Sequence, residues 1–137
     1  MRTWPVLTLV LLCGCSSELT PPRPGLPQEV RLVRLFDGAG VERTGHVFLF
    51  QNDNLQLEVR MYAGEGFQIT SVPGGSEVAF RFDPSTIATS APIVSEPMRR
   101  RVTTTGTGGT EGNLWVTVLF LADSSRKEFG PFNCRVH

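Results

Sequence analysis

Few residues of this chain carry side chains that do chemistry, and they lie far apart. The histidines are His46 and His137. A metal site would need partners at spacings such as C-x-x-C or H-x-x-x-H, and neither motif occurs. His46 with carboxylates brought in from elsewhere is the one route to a hydrolase or a metal-dependent module. Serine chemistry needs a base, an orienting acid and often a G-x-S-x-G elbow, and that elbow is absent. The acidic residues are spread singly, as on solvated strand faces, and not paired as in a glycosidase site. Gly106, Gly108, Gly109 and Gly112 look like a phosphate cradle. A strand follows near Asn113, however, and no Lys-Ser or Lys-Thr closes the segment, so it reads as a mobile hairpin loop. Asn52-Asp53-Asn54 lacks the alternating ligands of a calcium loop and reads as a turn. No cofactor site emerges.

Two further groups carry reactivity or charge. Arg99-Arg100-Arg101 is the dense charge cluster. On a strand, Arg99 and Arg101 would share one face and Arg100 would take the other. Charge guarding a solvated edge strand is one reading. Contact with an acidic partner or with anionic lipid headgroups is the other. Cys134 alternates in phase with Phe132 and Val136, so it should face a core as a small unpaired hydrophobe. Pairing between chains in an oxidising compartment is the alternative.

The remaining cysteines belong to the N-terminus, Met1 to Cys15. Arg2 supplies a positive start, Val6 to Leu12 is apolar apart from Thr8, and Gly14 is small. This is the three-part pattern of a secretory signal, and it is too short to span a bilayer as a helix. Leu12-Cys13-Gly14-Cys15 resembles the lipobox of bacterial lipoproteins, with Leu at −3, a small residue at −1 and the modified Cys at +1. Cys13 stands at −2, where Ala or Ser is more usual. The resemblance implies cleavage after Gly14, a diacylglycerol thioether on Cys15 and usually an acylated amino group. Ser16 follows, which in that family favours the outer membrane. The partners implied are the membrane, through the lipid on Cys15, and an envelope protein.

After such cleavage 123 residues remain. Ser16 to Gln28 holds Pro21, Pro22, Pro24 and Pro27 and cannot form a helix or a central strand. It reads as a spacer or an unstructured tail. As polyproline II its 13 residues would reach about 40 Å from the membrane. From Glu29 to His137 the period is mostly two. Leu55, Leu57, Val59 and Met61 alternate with polar neighbours, as do Val78, Phe80 and Phe82. Val47 to Phe50 and Leu114 to Leu121 are apolar on both faces, which suits central strands. Val30 to Phe36 shifts phase and suits a bulged strand. Asn52–Asn54, Gly64–Gly66, Pro73–Ser76 and Asp83–Ser85 are turn signals, the first as a hairpin loop.

About eight strands at this spacing predict an all-β fold, an antiparallel β-sandwich of immunoglobulin-like or transthyretin-like architecture. The chain carries 13 basic and 13 acidic residues. Zero net charge argues against a nucleic-acid partner. Phe makes up 9 of the aromatic residues, which suits a core better than a sugar-binding platform. The expectation is a lipid-anchored envelope domain that binds or supports and does not catalyse. Small transthyretin-like lipoproteins that attach secretion machinery to the outer membrane are similar in anchor and strand content. In that reading the loops at 64–66, 73–76 and 106–112 would make the contacts.

Overall fold

The computed structural model describes residues 21–137. The expected signal segment 1–14, Cys15 and the first residues of the expected spacer, 16–20, lie outside the described residues. Nine strands follow a single 3-10 turn at Pro27–Glu29: β1 (Val30–Asp37), β2 (Val47–Leu49), β3 (Asn54–Ala63), β4 (Gln68–Ile69), β5 (Ser76–Asp83), β6 (Ala88–Ile93), β7 (Glu96–Thr104), β8 (Glu111–Phe120) and β9 (Arg126–Val136). They form two sheets. One has the order β1-β3-β7-β6 with β4 beside β3, and the other runs β2-β9-β8-β5. The fold is an all-β sandwich. Its pairings are antiparallel except that β2 runs parallel to β9. Among the described residues no helix is long and apolar enough to cross a membrane.

Alternation builds the core. Leu57, Val59, Met61 and Ala63 of β3 face Leu114, Val116, Val118 and Phe120 of β8 across one buried cluster. Apart from Ala63, each such side chain contributes roughly 1.5–3 kcal/mol relative to exposure. The phase shift in β1 is a register break between Val30 and Leu32.

Four local expectations fail for reasons of topology. Asn52–Asn54 joins strands of different sheets, so it is a crossover and not a hairpin loop. Gly106–Gly112 is likewise a crossover and is pinned. Gly109 N–H donates to Val136 O at 2.8 Å, and Val136 N–H donates to Thr110 O at 2.9 Å. Val47–Phe50 is not a central strand, because β2 ends its sheet. Arg99–Arg101 is not on an edge, because β7 lies between β3 and β6.

The proline-rich segment is docked from Arg23 onward. Its prolines lack N–H groups, which leaves the amides of residues 23 and 25 free to pair. Both do so: Arg23 N–H donates to Gln68 O at 3.1 Å and Gly25 N–H to Ser71 O at 3.0 Å. Gly25 fits because a Cβ there would lie 2.8 Å from Glu29 Oε2 and 3.1 Å from Ile69. Lys127 Nζ closes the join by donating to Pro27 O and Val30 O, both at 2.9 Å. Only the part before Arg23 can act as a spacer.

The strand registers define two ends. The N-terminal end holds Val30, Ala63, Ser76, Phe120 and Arg126. The opposite end holds Asp37, Asn54, Asp83, Glu111 and His137. The loops at 64–66 and 73–76 sit at the first end and the 106–112 loop at the second, so they do not form one surface.

Candidate functional site

On β7 the side chains of Arg99, Arg100 and Arg101 separate as alternation requires. Arg99 lies on the outer face, where Nη2 is 3.0 Å from Glu58 Oε2 and Nη1 is 3.2 Å from Glu96 Oε1. Glu58 also accepts from Arg60 Nε at 2.8 Å. The Arg60 guanidinium, with Arg99 behind it, holds the Glu58 carboxyl below the usual carboxylate range. Arg60 in turn covers the Phe36 ring at 3.9 Å.

Arg100 turns inward at the rim of the sandwich. Its Nε donates to Ser90 Oγ at 3.1 Å, Nη1 to Val78 O at 3.3 Å and Nη2 to Ser90 O at 3.3 Å. Val78 belongs to β5, which ends its sheet. The guanidinium therefore fills backbone bonding capacity that an edge leaves open. Burial lowers its pKa below the ordinary arginine value. Arg101 is exposed and makes no ion pair among the described residues. As an anion contact, the triplet offers one free guanidinium.

A cleft of about 360 Å³ lies beside this hairpin, lined by Arg99, Arg100 and Arg126 and by Glu77 and Glu96. The facing carboxylates offset its positive charge.

A second region forms where β2 lies against the end of β9. Val47 and Leu49 point into the core, so His46, Phe48 and Phe50 take the outer side. Phe48 is 41% exposed and Phe50 56%. The fold brings both histidines here. The His46 ring lies 4.5 Å from Phe48 and 6.3 Å from His137, and His137 lies 5.2 Å from Phe48 and 6.0 Å from Phe50. His137 is held there by its backbone, donating to Leu49 O at 2.7 Å and accepting from Gln51 N–H at 3.1 Å. Arg43 stands 5.6 Å from the Phe48 ring.

His46 also lines a cleft of about 220 Å³ with Glu111, Asn133, Cys134 and Arg135. Its Nε2 is buried and has no hydrogen-bond partner among the described residues. A buried ring nitrogen left this way costs free energy unless something bonds it. Arg135 and Glu111 pair loosely across the cleft at 3.5 Å. Among the described residues no group of three or more His, Cys, Asp and Glu is placed to hold a metal ion. Cys134 is 2% exposed and has no disulfide partner among the described residues, and burial pushes its thiol up to about 11.

Two features lie outside the motifs weighed from the sequence. Ser124 and Lys127 stand at S-x-x-K spacing, which the chain itself displays. Lys127 Nζ is committed to two carbonyl oxygens, so it is not poised as a base. Phe48 and Phe50 are the other. Their shared parity was the available signal, but four residues do not reveal whether a neighbouring layer covers them. Comparison with protein-family models, curated proteins and solved structures found no match.

Proposed function

We propose that this chain is an exported, lipid-anchored protein of the outer membrane, facing the periplasm or the surface. Its β-sandwich binds an envelope protein or plays a structural role there, without catalysis. One observation carries the binding role: the exposed Phe48 and Phe50 rings around His137, at the end of the sandwich away from the docked N-terminal segment. Clustered exposed apolar side chains mark contact surfaces. The lipobox-like Leu12 to Cys15 supports the anchor. The shifted carboxylates support a non-catalytic reading. Asp37, bonded chiefly by the Val41 amide, and Glu58, bonded by Arg60, are both held low, as structural ion-pair partners are.

The test has two parts. Cys15→Ser should release the protein into soluble fractions. Cross-linking in intact envelopes should capture a stoichiometric partner, and the Phe48→Ser/Phe50→Ser double variant should lose it. An accessory role in a secretion or assembly machine is the narrower form of this reading, and the partner's identity decides it.

A second reading keeps His46 as the centre of a hydrolase or metal-dependent module. The ring separation of 6.3 Å between His46 and His137 favours it, as does the unpartnered Nε2 in the cleft with Glu111. Zinc titration of wild type and His46→Gln tests it. Equal and negligible uptake by both would end the metal form.

A further inference from the structure

At the N-terminal end two exposed leucines flank the Val72–Gly75 turn, apart from Val94 in the β6–β7 turn. Leu26 is 46% exposed and Leu121 is 48% exposed. Leu26 lines a shallow groove of about 500 Å³ with Pro24, Val72 and Pro73. Gly75 carries the surface onward, since its carbonyl accepts from Leu121 N–H at 3.0 Å. The charges nearby nearly cancel: Arg23, Arg31, Arg126 and Lys127 stand against Glu29, Glu65 and Asp123.

Chain length decides what can cover this strip. The docked backbone begins at Arg23, whose amide is fixed on Gln68 O. Arg23 stands eight positions after Cys15, and even as extended polyproline II that stretch reaches about 25 Å. The 11 residues of β9 alone span roughly 36 Å along the sandwich. A lipid on Cys15 therefore keeps the N-terminal end near the bilayer and leaves the Phe48–His137 end outermost.

We propose that the strip around Leu26 and Leu121 is a lipid-contact surface, so that the domain rests on the bilayer and is not held clear of it. The near balance of charge makes this contact apolar and insensitive to salt. It rests on the lipid-anchor reading and adds an orientation: the short linker presents this end, and the aromatic edge faces away.

Trp115 is the sole tryptophan once the segment bearing Trp4 is removed, so a Trp115→Phe background is silent. In that background Leu26→Trp, Leu121→Trp and Phe50→Trp each report one position. The full lipidated chains are reconstituted in phosphatidylethanolamine/phosphatidylglycerol vesicles with and without brominated acyl chains. Leu26→Trp and Leu121→Trp should lose most of their emission to the brominated lipid, at low and high salt, while Phe50→Trp should keep it. Either reporter suffices if the other variant fails to fold. Unquenched emission from both reporters overturns the contact. So does shielding from aqueous iodide without bromine quenching, which would mean that a protein or a second copy covers the strip. Cys15→Ser separates the two claims. If it stays membrane-bound, or if mass spectrometry finds no acyl group on Cys15, the anchor reading itself fails. If it is released while both reporters stay unquenched, the anchor stands and the contact fails.

Discussion

On β7, Arg99 and Arg100 find acceptors on neighbouring strands, whereas on β2 the rings of Phe48 and Phe50 meet mostly solvent. The two regions invert the usual expectation for charge and apolar surface. The guanidinium groups hold the sandwich together: Arg99 ties Glu58 to Glu96, and Arg100 joins β6 and β7 to the rim of β5. The phenylalanines add little to the core and leave an apolar edge. Position in the sheet makes the difference. An interior strand surrounds its side chains with neighbours, while an edge strand leaves its outer face open. Charge density in a sequence is thus a poor guide to available charge, and the free surface lies where the sheet ends.

If that contrast holds, the largest stability loss follows Arg100→Ala. It strands Val78 O and Ser90, and hydrogen bonds to a charged donor are worth about 2 kcal/mol. Urea unfolding should read a loss of that order. A loss near zero would mean that Arg100 is as free as Arg101, and the contrast would fail.

A smaller effect comes from acid. Asp37 and Glu58 have folded-state pKa values below their ordinary 3.8 and 4.5. Groups with lowered values stabilise the fold above the unfolded pKa and lose that contribution as pH falls through the folded one. The urea midpoint should be flat from neutrality to about pH 5 and fall below it. Glu58→Gln should shallow the fall, and Phe50→Ser should leave it unchanged. An equal slope in wild type and Glu58→Gln would remove Glu58 from the account.

Strand identity was legible because alternation is a local property. Leu57, Val59 and Met61 announce their face without knowledge of what covers it. Cys134 was legible in the same way, through its phase with Phe132 and Val136. Sheet order was not, because it depends on which crossovers the chain takes. Asn52–Asn54 has the residues of a hairpin turn but joins two sheets, so β2 does not pair with β3 and β9 is its one strand neighbour. The meeting of His46 and His137 was hidden for the same reason. It needs the parallel pairing of β2 with β9, which no local signal specifies. The docking of Arg23 and Gly25 was half visible. Prolines at alternate positions leave amides at the others, but only β4 shows what those amides bond.

The smallest stability effects should fall on the aromatic edge, and they sharpen the contrast most. Phe50 is 56% exposed, with its ring centroid 6.0 Å from that of His137. Surface changes of this kind usually stay within about 0.5 kcal/mol, so Phe50→Ser should leave the urea midpoint nearly unmoved. Phe48 contacts His46, His137 and Arg43 and should cost more on Phe48→Ser, up to about 1 kcal/mol. Arg101→Ala is the matched control on β7 and should also be silent. Partner capture separates the two silent sites. It should fall with Phe50→Ser and persist with Arg101→Ala, because one change removes apolar contact surface and the other a solvated charge. A Phe50→Ser loss as large as that of Arg100→Ala would make the edge part of the structural frame, since a ring that stabilises the fold so strongly is not free surface.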